Sequence, residues 1–114
     1  MKKLLGACAI TIAMASGQTV ASGQTEAARG LAVFQEWCVT CHGTGPGHPG
    51  TQALDHRYQG ALPGALEQRT DLSPEIVKAF VRNGISVMPF FRKTEIGDAE
   101  LDALGAYLSR NNPR

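Results

Sequence analysis

Two cysteines three positions apart, followed at once by a histidine, constrain this chain more than any other feature: Cys38-Val39-Thr40-Cys41-His42. That spacing sets both thiols and the imidazole on about one turn of backbone. A zinc site needs about four ligands, so His48 and His56 would have to complete Cys38 and Cys41. Seven residues separate those histidines, where zinc motifs use about three to five. They also adjoin a loop of four glycines and two prolines, Gly43-Thr44-Gly45-Pro46-Gly47-His48-Pro49-Gly50, which no helix or strand survives. A thioredoxin-like redox pair opens a helix after a strand, where the helix dipole lowers a thiol pKa. Here the pair closes an expected helix and no strand precedes it. A disulfide at this spacing is sterically poor. The two thiols are left to hold something else.

Thiols so placed reach the two vinyl groups of a haem and form thioethers, while His42 meets the iron from the same turn. Cys-x-x-Cys-His is the signature of covalent c-type haem attachment. For the opposite face of the iron the first candidate is Met88, since Met1 and Met14 fall in the leader described below. A thioether is a soft ligand that suits haem iron, and paired with histidine it raises the reduction potential. Methionines more often fill cores. Met88, however, follows Gly84, precedes Pro89 and sits in a loop instead of on an apolar helix face. His48, His56 and an open position remain as alternatives. With both axial positions filled by protein, none is left for oxygen or substrate, which points to one-electron transfer and away from catalysis.

The leader starts with Lys2 and Lys3 and continues as an apolar run, residues 4–15. A basic start, a short apolar stretch and small residues after it make a secretory signal peptide, too short to span a bilayer. Thr19-Val20-Ala21 places the cut after Ala21, with Gly23 as the competing site, so export to the periplasm is expected. Leu5-Gly6-Ala7-Cys8 loosely resembles a lipoprotein box. Only seven residues precede Cys8, too few for the regions that must come first, so no membrane anchor is expected. Residues 22–114 then carry nine basic against ten acidic side chains. So balanced a charge offers no field for nucleic acid or an anionic membrane. The polar repeat Ala15-Ser16-Gly17-Gln18-Thr19 and Ala21-Ser22-Gly23-Gln24-Thr25 straddles the cut and reads as leader.

After a short N-terminal stretch (22–29), residues 30–110 read as one all-α domain. A first helix over 26–37, capped by Thr25, puts Leu31, Phe34 and Cys38 on one face. A weaker helix spans 51–58, followed by a turn over 60–64. Ser73 caps a third helix with Pro74 in its first turn; Ile76, Val77, Phe80 and Val81 form its stripe and Asn83-Gly84 ends it. Ile85 to Arg92 is an extended loop. The last helix begins near Asp98, has Asp98 and Glu100 at its positive end, buries Leu101, Leu104, Tyr107 and Leu108, and stops at Asn111-Asn112-Pro113.

From Gly30 to Leu108 the chain resembles the class I cytochromes c. Gly30, Phe34, Cys38 and His42 have the spacing of that family's first helix, and Leu104-Gly105-Ala106-Tyr107-Leu108 resembles its last. The resemblance implies a small fold wrapped around one covalent haem, with Gly30 crossing closely against Leu104 and Tyr107. It also implies a proline carbonyl, from Pro49 or else Pro46, accepting the ring N–H of His42. A narrower likeness lies in Arg57-Tyr58, Leu62-Pro63, residues 66–72, Val81-Arg82-Asn83-Gly84 and Met88-Pro89-Phe90-Phe91. These resemble the family of cytochrome subunits of 4-cresol dehydrogenase and related phenol hydroxylases. The likeness implies a flavoprotein partner of the vanillyl-alcohol-oxidase type, which would do the substrate chemistry while this chain accepts its electrons.

A free soluble carrier between other dehydrogenases and a terminal oxidase is the alternative, followed by a haem-based ligand sensor or peroxidase. Ile85, Val87, Pro89 and Phe90 are expected to line the distal wall. Arg69, Lys78, Arg82, Arg92 and Lys93 either gather near the haem edge to dock a partner or are ordinary surface charges; Arg82 has a haem propionate as a further possible partner. Trp37 fits the haem periphery or the core equally well.

Overall fold

The computed structural model describes residues 22–114, so the leader and Cys8 lie outside the described residues. Helix α1 (Ser22–Val33) runs without interruption into a π-helical turn, Phe34–Cys38, and then into the short α2 (Val39–His42). Thr25 therefore lies inside α1 and does not cap it. No proline interrupts Ser22–Val33, and threonine costs under about 1 kcal/mol in a helix interior. The wider π turn takes in an extra residue, which changes the angle at which the following turn is presented. Phe34 consequently points into the core, only 1% exposed, while Cys38 is half-buried at the core's edge.

Helix α3 (Pro49–Tyr58) starts two residues before its expected origin because Pro49 occupies the first turn, where its fixed φ is already helical. Helix α4 (Pro74–Asn83) forms as expected. The Ser73 hydroxyl accepts the Ile76 N–H at 3.2 Å, and Gly84 closes the helix by donating its N–H to the Phe80 carbonyl at 2.7 Å. Helix α5 (Asp98–Ser109) opens with the Glu100 carboxylate accepting the Gly97 N–H at 2.7 Å. Among the described residues there is no sheet, only an isolated bridge between Ile85 and Met88.

The core lies where α5 packs on α1 and α4. Phe34, Ile96 and Leu104 are its most buried large side chains, joined by Val33, Leu72, Val77, Val81, Leu101 and Leu108. Phe34 and Tyr107 pack with ring centroids 6.1 Å apart. The crossing of α1 and α5 rests on Gly30: a β-carbon there would sit 2.5 Å from Tyr107 Cβ and closer still to the Ala103 carbonyl. The contact partner is thus Ala103 with Tyr107, while Leu104 turns into the core. Gly30→Ala is expected to destabilise the protein by about 1–3 kcal/mol through overpacking, although alanine is the better helix former. Denaturant unfolding of the two forms measures the difference.

Long-range hydrogen bonds hold the irregular segments. Arg82 donates to the carbonyls of Phe91 (3.1 Å) and Ile96 (2.9 Å) and pairs with Asp98 (2.9 Å), which pins the loop from α4 to α5. The C-terminus does the same for residues 66–72. Asn111 Nδ2 donates to the Glu67 carbonyl at 2.8 Å and Asn112 Nδ2 to the Leu72 carbonyl at 2.6 Å. The Tyr107 hydroxyl donates to the Glu67 carboxylate, and the Arg110 guanidinium lies over the Tyr107 ring at 3.9 Å.

Candidate haem site

The apolar stripe of α4 divides between two environments, and that division opens the site. Val77 and Val81 are buried against α5, whereas Ile76 and Phe80 remain 42% and 43% exposed and face a cavity of about 420 Å³. A second cavity, of about 460 Å³, shares Cys38, His42, Leu54, Arg57, Ile85 and Met88 with the first. Each falls within the range typical of small-molecule sites, about 300–1,000 Å³. Exposed isoleucine and phenylalanine beside half-buried sulfur and imidazole make an apolar slot of small-molecule size.

The Cys38–His42 turn is braced from its C-terminal side. Gly43 N–H closes it on the Val39 carbonyl at 2.8 Å. Buried Thr51 donates its hydroxyl to the Gly43 carbonyl at 2.7 Å, which ties α3 to the turn. Gly50 lets α3 come this close: a β-carbon there would lie 2.7 Å from His42 Cε1 and 2.7 Å from the Cys41 carbonyl. Cys38 and Cys41 are both free thiols, Cys38 half-buried and Cys41 exposed. Burial, with a lesser push from Cys41, raises the Cys38 thiol to about 11. Cys38 therefore stays protonated at neutral pH. In the reduced, haem-free chain a thiol-alkylating reagent is expected to modify Cys41 well before Cys38, with the difference vanishing in denaturant. Equal rates in the folded chain would count against this environment.

Burial also lowers the His42 pKa, which favours the neutral imidazole that a metal requires. His42 Nδ1 is buried without a hydrogen-bond partner. The expected bond to Pro49 or Pro46 is not made. Pro49 begins α3, so its carbonyl points along the helix axis toward the next turn, and Pro46 stands exposed on the loop.

The other wall comes from the loop after α4. Ile85 and Met88 exchange backbone hydrogen bonds (2.9 and 3.2 Å) around a tight turn in which Ser86 takes φ 55°, and Phe91 N–H anchors the loop to the Val81 carbonyl at 2.8 Å. Met88 lines both cavities, so the structure brings it together with Cys38 and His42, and with Cys41 in the second cavity. His48 and His56 line neither. His48 Nδ1 instead lies 3.1 Å from the Thr40 carbonyl, outside the slot, and His56 is exposed on α3. Among the described residues no three His, Cys, Asp or Glu side chains gather to hold a metal ion, so the zinc set of two cysteines and two histidines is not assembled.

The expected distal wall needs revision. Ile85, Val87 and Pro89 line the second cavity, although Val87 is 97% exposed at the turn's tip. Phe90 lines neither and points outward; Phe91, Ile76 and Phe80 supply the aromatic and aliphatic surface in its place. Trp37 takes the peripheral role, lining the second cavity and packing edge-on against Phe91 at 5.9 Å.

Four of the five cations lie outside the lining of the slot. Lys78, Arg82, Arg92 and Lys93 line neither cavity and pair locally with Asp102, Asp98, Glu95 and Asp98. Nor does Arg82 face the slot as a propionate partner: it lies outside both linings and binds the Phe91 and Ile96 carbonyls and Asp98. Arg69 alone lines the first cavity, buried and paired with Asp71.

An apolar slot with two thiols, an imidazole and a thioether on its walls fits a covalently held haem by donor chemistry. The family described as cytochrome C oxidase, cbb3-type, subunit III, matches residues 25–108. No curated protein and no solved structure matches the chain.

Proposed function

Because the chain belongs to that family, a c-type cytochrome domain carrying covalent haem, we propose that it is a periplasmic monohaem electron-transfer protein serving a flavoprotein dehydrogenase. Cys38 and Cys41 would hold one haem through thioethers, His42 its iron on one face and Met88 on the other. The observation that carries this reading is the convergence of Cys38, His42 and Met88, from two separate segments, on one apolar slot. The haem supplies a one-electron ferric–ferrous couple. The chain's own part would be to offer His42 and Met88 as donors and to exclude water with Leu54, Ile76, Phe80 and Ile85. Cys41 and Val87 stand at the surface, and there a partner's redox group can approach the thioether-bearing edge. The cavity wall beside them is mostly apolar, with Arg57 its one cation, so docking is expected to depend weakly on salt.

The narrower resemblance supports a para-alkylphenol-oxidising flavoprotein of the vanillyl-alcohol-oxidase type as the electron donor. Its flavin would remove hydride from the phenol and pass electrons singly to this chain. A second reading, a free carrier feeding a terminal oxidase, draws support from the oxidase named in the matching family. Co-expression with such a flavoprotein separates the two. A flavin-containing complex that survives gel filtration supports the first; a freely exchanging monomer at micromolar concentration rejects it and leaves the second.

A further inference from the structure

Arg69 is the anomaly of the slot. It lies in the irregular segment between α3 and α4, just past the 3₁₀ turn Leu66–Gln68, and is only 5% exposed. Thr51 is the one other buried polar side chain among the described residues. Removing a guanidinium from water costs several kcal/mol unless its donors are satisfied. Asp71 meets part of that need through a bidentate pair, Nε to Oδ1 and Nη2 to Oδ2, each at 2.6 Å. The Tyr58 ring meets more, with the guanidinium carbon 4.8 Å from its centroid. The pair with Asp71 engages Nε and Nη2 only, and Arg69 lines the first cavity beside Arg57, Tyr58 and Asp71. The rest of that cavity's wall is apolar apart from Cys38 and His42.

From this arrangement, and resting on the haem reading above, we propose that Arg69 binds a haem propionate, with Asp71 and Tyr58 as the residues that hold its guanidinium in place. A flat group whose apolar body fills the slot must send its carboxylates to the polar part of the lining, and Arg69 offers a preorganised donor there. Arginine matches a carboxylate by its planar fork, and such charge-assisted bonds are about twice as strong as neutral ones. Asp71 adds a negative charge beside the propionate, so Arg69 must serve two carboxylates at once, with Arg57 as the further cation on this wall. The arrangement keeps the propionate ionised and offsets its charge at the iron.

The test is a variant series on the exported holoprotein. Arg69→Gln is expected to retain covalent haem but to show a lower reduction potential at neutral pH, because uncompensated negative charge favours ferric iron. The expected fall corresponds to about a tenfold change in the ferric–ferrous equilibrium, ~59 mV for one electron. Its potential is also expected to rise as pH falls through the carboxylate range, where the propionate takes up a proton, while the wild type stays flat there. The propionate bending mode in resonance Raman is expected to shift. Arg69→Lys keeps the charge and is expected to restore most of the potential but not the Raman mode. Lower thermal stability with the potential, its pH profile and the Raman mode all unchanged in both variants would mean a structural ion pair only, and would overturn the proposal. A wild-type chain lacking covalent haem would overturn the haem reading itself, and this proposal with it.

Discussion

Replacing Met88 by alanine is expected to leave the haem covalently attached but to convert the protein from a low-spin to a high-spin form that binds carbon monoxide rapidly when reduced. As a ligand the soft thioether would favour ferrous iron, and neither His48 nor His56 lies in the slot to take its place. Loss of the sulfur should therefore lower the reduction potential by tenths of a volt, within the roughly 0.8 V that axial ligands control. The weak sulfur-to-iron absorption band at long wavelength should vanish. An unchanged band in the variant would assign the sixth position to another side chain. Rapid carbon monoxide binding by the wild type at neutral pH would instead favour a ligand sensor or peroxidase.

The second large effect concerns folding. Ile76, Phe80 and Ile85 are 42%, 43% and 57% exposed in the chain alone. Fully burying such a side chain contributes about 1.5–3 kcal/mol, so covering the exposed part of three is worth about 2–4 kcal/mol. A small domain has only about 5–15 kcal/mol in total. The double variant Cys38→Ala and Cys41→Ala, which removes both thioether sites, is therefore expected to release its haem in denaturant and to unfold at markedly lower denaturant concentration. Once haem is gone, its midpoint should fall further. An unchanged midpoint would show that the slot's apolar walls need no cover.

The ends of α3, α4 and α5 were legible to within a residue or two, whereas α1 begins four residues before its expected start. Ser73 with Pro74 and Asn83 with Gly84 bound α4 because caps and breakers act through their own backbone. The Cys-x-x-Cys-His turn and the all-α class follow from equally local patterns. What escaped is set by partners far along the chain. Ile96, with 0% exposure, sits in a loop and belongs to no periodic face, so nothing in its neighbourhood marks it as core. Arg82 and Arg69 look alike in sequence, yet one ties down carbonyls at residues 91 and 96 while the other lines the slot. Asn111 and Asn112 read as a stop signal, but they clamp the Glu67 and Leu72 carbonyls some forty residues away. The π turn at Phe34–Cys38 has no compositional mark at all. It nonetheless leads directly into the Val39–His42 turn.

The central claim, one haem held through Cys38 and Cys41, is tested most directly by the mass of the denatured, exported protein. A single species heavier than the polypeptide by one haem, with a thioether-type pyridine haemochrome spectrum, is the predicted result. A polypeptide of unmodified mass, from cells competent to mature c-type cytochromes, would contradict it.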